Sequence, residues 1–243
     1  MRLFKCIFLC TGIAVASFLL NSCNKDDGYS LDNAWYSVAT IHTEGNGASS
    51  YWITLDSGVS LWPAATNIPW YKPKDKQRAF VVYTILSDKY GNYDHAVKIL
   101  DIKDILTKQI AEDLGEDNDS IYGTDPVKLS DMWIGDGFLN IIFEFNYGGD
   151  AVHFINLMKN DNVRTPYFFE FRHNAYDDSK RYRNKGIVAF DLSAIDTNGE
   201  EVELTIQVNT FDGTKDFKIK YHSFKQSTVQ KQSYSIDNFV EIK

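Results

Sequence analysis

The segment 169–183, FEFRHNAYDDSKRYR, places the side-chain types of an active-site loop close together. Arg172, His173, Asp177 and Asp178 lie within seven residues and offer a cation, an imidazole and two carboxylates. In one cleft, such a set would supply a general acid, a general base and an anion-binding group. The chemistry therefore depends on whether the local strand brings these side chains to the same face.

Strand alternation predicts a structural role for His173. Successive side chains of a strand point to opposite faces, so His173 shares an apolar face with Phe169 and Phe171, while Glu170 and Arg172 take the other face. We therefore expect the His173 ring at the edge of an apolar core, where its hydrogen bonds hold the following loop.

The sequence gives little support to the other candidate catalytic groups. A His153–His173 metal pair is an alternative, but the sequence marks no third ligand for it. Adjacent acids such as Glu200 and Glu201 do not indicate glycoside hydrolysis, which needs two carboxyl groups roughly 5 to 10 Å apart across a cleft. Motifs of serine hydrolases, zinc proteases and phosphate-binding loops are missing. We predict no catalytic residues, no metal site and no cofactor.

The segment 62–76, WPAATNIPWYKPKDK, is the strongest candidate for ligand binding. Three prolines stiffen it, and long connections of this kind are often functional or mobile. Trp62, Trp70 and Tyr71 offer aromatic faces on which a sugar or a peptide could stack. The alternative is that these rings close one end of a barrel or pack between two domains.

Residues 33–114 are predicted to form a small OB-like β-barrel. Apolar runs at 34–43, 50–63, 78–88 and 95–102 indicate about five strands, and Asp56-Ser57-Gly58 supplies a hairpin turn inside the second run. Ile102, Ile105, Leu106, Ile110 and Leu114 follow helical spacing, so one helix is expected at 102–114 with Gly115 as its C-cap.

A domain boundary is predicted at residues 115–126, GEDNDSIYGTDP, which are acidic and rich in turn residues. Within this linker, Asp119-Ser120-Ile121 resembles a bacterial O-glycosylation sequon, which makes Ser120 a candidate modification site. Residues 127–222 then alternate between apolar and polar side chains, as in FLNIIFEFNY and EVELTIQVN. About seven such strands predict an antiparallel, Ig-like β-sandwich. The polar segment 223–243 is expected to be a tail or an edge strand.

The N-terminus carries the features of a secretory signal. Two basic residues, Arg2 and Lys5, precede an apolar run from Ile7 to Leu20 that is too short to span a bilayer as a helix. Leu20-Asn21-Ser22-Cys23 resembles the bacterial lipobox. This resemblance implies that residues 1–22 are removed and that Cys23 is acylated. The polar composition of residues 23–32 predicts a short tether, and the lipid anchor is expected in the outer membrane.

The net charge of the chain argues against two classes of partner. The full chain has a net charge of −8, and removal of residues 1–22 leaves 23 basic against 33 acidic residues. A chain this acidic, without a run of basic residues, argues against nucleic-acid binding. It also argues against binding of anionic lipids through side chains.

Several long strings resemble the NigD-like lipoprotein family. They include SLWPAATNIPWYKPKDKQRAFVVYTILSDK, YDHAVKI, DPVKLSDMWIG, HFINL and FEFRHNAYDD, and they extend over nearly the whole mature chain. The resemblance implies an OB-like N-terminal domain, a C-terminal β-sandwich and a cell-envelope lipoprotein, with an immunity role by association only. Cys23-Asn24-Lys25-Asp26-Asp27 also resembles a surface-export tag, with the periplasmic face as the alternative.

We therefore expect a non-enzymatic envelope lipoprotein that binds a protein or glycan partner. One alternative is a structural accessory subunit of an outer-membrane complex. A hydrolase that acts on glycans at the cell surface is a further alternative, for which the sequence offers no catalytic motif.

Overall fold

The structure is a computed structural model of the 243-residue chain and describes residues 29–44, 50–160, 166–223, 239–240 and 242–243. The chain divides into two compact units, Met1–Ser30 and Leu31–Lys243, and every described strand lies in the second. The predicted signal peptide and Cys23 lie outside the described residues. Within the described part, no helix is long and apolar enough to cross a membrane.

Five strands close into a barrel, as predicted. Their order around the barrel is β1-β2-β3-β5-β4, and β3 pairs with β5 in parallel while the other neighbours are antiparallel. Inward-pointing residues of each strand fill the interior, because alternate side chains face the barrel axis. The strands are β1 (Trp35–Thr43), β2 (Tyr51–Leu55), β3 (Ser60–Thr66), β4 (Gln77–Tyr90) and β5 (Tyr93–Asp104).

Two four-stranded sheets form a sandwich in the second half of the chain, which confirms the predicted fold class. One sheet has the order β6-β11-β8-β7 and the other β13-β12-β10-β9. The pairs β6–β11 and β10–β12 are parallel, so the sandwich is mixed and not purely antiparallel. The strands are β6 (Leu106–Gln109), β7 (Lys128–Gly135), β8 (Phe138–Tyr147), β9 (Phe154–Lys159), β10 (Phe168–Asn174), β11 (Tyr182–Asp191), β12 (Val202–Thr210) and β13 (Gly213–Tyr221).

The helix predicted over residues 102–114 is wrong. β5 continues to Asp104, and β6 follows after Ile105, so the last strand before the linker belongs to the sandwich. Ile105 is buried where the two domains meet, which explains why apolar residues recur here at a spacing that mimics a helix. Tertiary burial on two different surfaces outweighs the helical periodicity of this segment.

The described helix lies instead in the predicted linker. A 3-10 turn at Gly115–Asp117 leads into helix α1 (Asn118–Tyr122). Asp119 in this helix accepts a hydrogen bond from Arg172 at 2.7 Å, and the Tyr122 ring is buried. These contacts hold the connection against the sandwich.

A buried arginine joins the barrel to the sandwich. Arg78 on β4 is fully buried, and its guanidinium lies 2.6 Å from the Asp56 carboxylate. It also donates to Thr40 Oγ1 at 3.0 Å within the barrel and to Asn140 Oδ1 at 3.1 and 3.2 Å across the domain boundary. A buried charge must be paired and hydrogen-bonded, and this one finds acceptors in both domains.

Asp56 faces the sandwich from the barrel's hairpin turn. Its Oδ2 atom accepts a hydrogen bond at 2.8 Å from the indole N–H of Trp133 on β7. Gly135, at the end of the same strand, approaches so closely that a Cβ atom there would overlap the Asp56 carboxylate. The turn of one domain therefore fits against a glycine of the other, and we call this boundary the seam.

Apolar packing completes the seam. Phe80 from β4 and Ile105 meet Phe138, Ile142 and Ile187 of the sandwich, all of which are buried. The barrel thus covers the outer face of the β6-β11-β8-β7 sheet, which a free sandwich would leave in water.

The last residues of the chain extend this packing. Ile242 is buried in the sandwich core. The Lys243 carbonyl accepts a backbone hydrogen bond from Ile155 on β9, and the Lys243 N–H donates to the carbonyl of His153, the residue before β9. Phe239 stacks on Phe80 with ring centroids 5.6 Å apart. The described part of segment 223–243 is therefore tied to both domains.

We predict that Arg78→Met destabilises the protein by about 3 to 5 kcal/mol, because the substitution leaves the buried Asp56 carboxylate without its charge partner. Urea unfolding followed by tryptophan fluorescence measures this difference in the free energy of unfolding. The matched control is Lys128→Met, which removes a pair with Glu144 whose lysine side chain is 62% exposed. The control should cost no more than about 1 kcal/mol. An equal, small cost for both variants would contradict a role for Arg78 in joining the domains.

Candidate functional site

His173 and Asp178 of segment 169–183 form a buried chain with His153, the residue before β9. His173 Nε2 lies 2.8 Å from His153 Nδ1, and His153 Nε2 lies 3.0 Å from the Asp178 carboxylate. All three residues are less than a tenth exposed. Because Asp178 can only accept, the His153 ring donates from Nε2, and in this tautomer its Nδ1 atom accepts a hydrogen bond from His173 Nε2.

Asp178 is the fixed end of this chain. Its carboxylate accepts backbone hydrogen bonds from Gly148, Gly149 and Asp150 at 2.7 to 3.1 Å. Burial alone would raise the pKa of Asp178, but these N–H donors and the His153 ring hold that pKa well below its usual range. The loop after β8 and the loop after β10 are therefore tied together by one ionised carboxylate.

This arrangement explains why the histidines are structural. The His153 ring is 4.8 Å from the Phe145 ring, and the His173 ring is 5.4 Å from it, so both are packed into the aromatic core. Burial, followed by the proximity of His153, lowers the pKa of His173 to about 4. The structure confirms the predicted placement of His173, whose hydrogen bonds hold the following loop through His153 and Asp178.

The remaining residues of that segment point elsewhere. Arg172 lies on the other strand face, where it pairs with Glu170 at 2.6 Å and with Asp119 at 2.7 Å. Asp177 is exposed next to Asp178 in a turn. Across the part of the chain that the structure describes, no group of three or more His, Cys, Asp or Glu side chains is arranged to hold a metal ion.

The candidate loop between β3 and β4 presents one of its aromatic residues to solvent. Trp70 is 73% exposed, more than the other large hydrophobic side chains of the described barrel. The Tyr71 hydroxyl donates to Asp104 Oδ1 at 2.9 Å, and the Tyr71 ring packs edge-on against Tyr51. Burial and the Asp104 charge raise the pKa of Tyr71 well above its usual range, so the hydroxyl remains a donor.

The end of the loop is also anchored to the barrel. Asp75 accepts a hydrogen bond from the backbone N–H of Thr43, the last residue of β1. Lys76 adopts a positive φ of 57°, which turns the chain into β4. Trp70 therefore projects from a loop that is fixed on both sides, at the barrel end where β1 finishes.

Trp62 belongs to a different surface. It lies opposite Ala96 on β5, whereas Tyr71 contacts Asp104, eight residues further along that strand. The Trp62 ring stacks with Tyr90 at 6.1 Å and packs against Tyr93 at 5.1 Å, on the hairpin that joins β4 to β5. The structure thus separates Trp62 from the Trp70 loop.

A cleft of about 240 Å³ opens at the seam next to this loop. Clefts between domains are common places for ligand binding. Both domains contribute charged or titratable side chains to its lining. His42, Asp75 and Lys76 come from the barrel, and Asp136 and Asp191 come from the sandwich.

Carboxylates outnumber the cations in this cleft. Asp191 is buried, which alone would raise its pKa, but hydrogen bonds from Ser193 and Gln109 and the Lys76 ammonium 3.8 Å away hold the pKa below its usual range. Asp136 lies 3.5 Å from the His42 ring. The cleft can therefore accept a cationic group, such as the side chain of a lysine or an arginine.

Sequence reasoning missed the cleft, although one signal was present. In KGIVAFDL, Val188, Phe190 and Leu192 face the core, but Ile187 and Ala189 on the opposite face are apolar as well. Apolar residues on both faces of a sandwich strand indicate that a second body covers it. The cleft lies at the edge of that covered surface.

Of the two candidate modification sites, the structure describes Ser120 but not Cys23. Ser120 is exposed in α1, where its hydroxyl donates to the Asp117 carbonyl at 2.9 Å. Cys23 is outside the described residues, so its acylation remains a prediction.

Two family models match the chain. The NigD-like N-terminal OB domain matches residues 38–105, and the NigD-like C-terminal beta sandwich domain matches residues 109–221. No curated protein matches the chain.

Several solved structures have the same architecture. A protein from Parabacteroides distasonis, provisionally described as toxin-related, is 50% identical with a TM-score of 0.73, over 79% of this chain and 95% of that chain. A NigD-like immunity protein from Bacteroides caccae is 18% identical with a TM-score of 0.56, over 81% and 99% of the two chains. A Bacteroides fragilis protein, provisionally described as a lipoprotein, is 13% identical with a TM-score of 0.53, over 79% and 98%. The last two likenesses concern the fold alone.

We predict that stability falls as the pH decreases from about 6.5 to 4, because unfolded His173 binds a proton in this range and the folded residue does not. Its lowered pKa corresponds to about 3 kcal/mol between these limits. His173→Gln keeps an N–H donor but does not titrate, so its free energy of unfolding should depend less on pH. Urea unfolding from pH 4 to 8 measures this, with pH 8 as the internal reference. An unchanged slope in the variant would contradict the assignment.

Proposed function

This chain belongs to the NigD-like family, and we propose that it is a lipid-anchored envelope protein that binds a partner without chemical turnover. The observation that carries the proposal is Trp70, a large aromatic side chain that is 73% exposed on an anchored loop. Aromatic residues of this kind are enriched at the centres of binding surfaces. The buried His153–His173–Asp178 chain offers no accessible acid or base that would favour an enzyme.

The anchor follows from the N-terminal sequence. Acylation of Cys23 would place two or three acyl chains in a membrane, and each buried methylene contributes about 0.8 kcal/mol. The acids Asp26 and Asp27 behind the cysteine support display on the outer face of the outer membrane, with the periplasmic face as the alternative. The Bacteroides fragilis protein of the same fold is provisionally described as a lipoprotein, which supports an envelope location.

A protein that presents a basic side chain is the partner that the surface fits best. Asp75 and Lys76 at the end of the Trp70 loop line the acidic seam cleft, so a partner that covers Trp70 can also reach the cleft. The carboxylates of Asp191 and Asp136 would attract a lysine or arginine from that partner. Charge complementarity of this type mainly raises the association rate and the specificity.

An immunity role would make that partner a toxin that arrives at the cell envelope. The support for it is the name of the Bacteroides caccae relative, an immunity protein, together with the toxin-related description of the Parabacteroides distasonis protein. A bound toxin would be held away from its target by the anchored protein, and this requires no catalysis.

A glycan is the second candidate for the partner, because an exposed indole ring can stack on a sugar. The two candidates differ in their response to salt. Binding of a basic protein should weaken as the salt concentration rises, whereas stacking of a neutral glycan should change little. A structural accessory subunit would instead be recovered in a constant ratio with one envelope complex, and a glycan hydrolase would release products.

We predict that a photo-crosslinking amino acid in place of Trp70 captures a partner on intact cells. The matched control carries the same amino acid in place of Tyr176, an aromatic residue of the sandwich that is 55% exposed. Mass spectrometry should identify a protein or glycan that is specific to position 70. Capture of lipid alone, or the same products from both positions, would contradict the binding surface.

We expect Asp136→Asn to lower the yield of the crosslink from position 70 severalfold when the partner is basic, because one carboxylate of the cleft loses its charge. Asparagine tolerates the positive φ of 46° at this position, so the fold should be kept. An unchanged yield would exclude the cleft from the binding surface and leave Trp70 as the contact with the partner.

We predict that Cys23→Ser abolishes incorporation of labelled palmitate and moves the protein from the membrane fraction to the soluble fraction. Cys10→Ser is the matched control, since Cys10 leaves with the signal and should not be acylated. Protease treatment of intact cells then tests surface display. Labelling that persists in Cys23→Ser would overturn the anchor.

A further inference from the structure

We propose that one end of the barrel rests directly on the lipid bilayer that holds the anchor. This end, which we call the tether end, carries Leu31, Trp35, Tyr36, Leu86 and Tyr90, whose side chains are 38% to 68% exposed. The inference rests on the proposed acylation of Cys23, and it adds a second, peripheral membrane contact made by the folded domain.

The strand register brings these residues to the same end. β1 begins at Trp35, which pairs with Tyr83 on the antiparallel strand β4. β4 continues beyond this level through Leu86 to Tyr90, where it turns into β5. The β4–β5 hairpin therefore extends past the barrel in the direction from which the chain enters β1.

Exposed apolar side chains are unevenly distributed over the barrel. In the described residues between Leu31 and Asp104, the exposed large hydrophobic residues are the five of the tether end and Trp70. Trp70 lies at the opposite end, because its loop is anchored to Thr43 at the finish of β1. A cluster at one end, apart from the proposed partner site, calls for its own explanation.

The length of the tether identifies what covers this cluster. Leu31 is the eighth residue after Cys23, and Trp35 is the twelfth. Fully extended segments of these lengths span no more than about 29 and 43 Å. An acylated Cys23 thus keeps the tether end within reach of the membrane surface at all times.

The side-chain chemistry of the tether end suits the headgroup layer of a bilayer. Tryptophan and tyrosine prefer this region, because their rings are apolar while the N–H or O–H group remains hydrated. The acidic mature chain is repelled by anionic lipids, so the contact is expected with neutral, zwitterionic headgroups. β1 spans roughly 30 Å, so the Trp70 loop is then held on the far side of the barrel from the membrane.

The test uses the chain from Cys23 onward, which keeps every described strand and has Cys23 as its only cysteine. Coupling of this thiol to a maleimide lipid in phosphatidylcholine vesicles reproduces the anchor without acylation in cells. Brominated phosphatidylcholine then quenches tryptophans that touch the bilayer. We expect clear quenching in the wild type, a reduced quenched fraction in Trp35→Phe, and no reduction in Trp70→Phe.

A second variant addresses the surface without removing a tryptophan. Tyr36→Glu combined with Tyr90→Glu places two charges on exposed positions of the tether end, so it should fold and yet lower the quenching at least twofold, because charged side chains avoid the bilayer interface. Thermal unfolding checks that both glutamate substitutions leave the fold intact. In the control, Trp70→Glu, the quenching of Trp35 should be the same as in the wild type.

Quenching that is lost with Trp70 and kept without Trp35 would overturn the proposal, as would no quenching at all. Oligosaccharides that change the tryptophan emission of uncoupled protein, and lose this effect in Tyr90→Glu, would assign the tether end to a glycan instead. Because the vesicles supply the anchor, failure here is distinct from failure of the Cys23 labelling experiment or of capture at position 70.

Discussion

The burial of the Arg78 guanidinium is the constraint on which the rest of the structure depends. A charge that is withdrawn from water must be matched on all sides, and its acceptors belong to both domains: Asp56 and Thr40 in the barrel, and Asn140 in the sandwich. Separation of the domains would expose this network and the apolar residues around Ile105 together. The barrel and the sandwich therefore behave as one body.

The two ends of this body expose different side chains. The tether end carries exposed aromatic residues, and the opposite end carries the Trp70 loop beside the acidic seam cleft. The cleft exists because the two domains meet, since Asp75 and Lys76 come from one and Asp136 and Asp191 from the other. The proposed binding at this place would thus be coupled to the same contact that holds the domains together.

Much of the fold follows from sequence patterns, while the contacts between the domains do not. Alternation identifies strands such as β8 and β12 and the inward face of His173, because each depends on neighbouring residues. The helix predicted at 102–114 fails because Ile105 is buried at the seam, a fact that lies outside the segment. Arg78 and Asn140 are 62 residues apart, and no local pattern links them.

Calorimetric unfolding of the mature wild-type protein tests this account most directly. If the Arg78 network makes the barrel and the sandwich one body, the protein should unfold in a single transition whose calorimetric and van't Hoff enthalpies agree. Two separate transitions, one for each domain, would contradict the account, because the seam would then contribute too little to couple the domains or to shape a binding cleft between them.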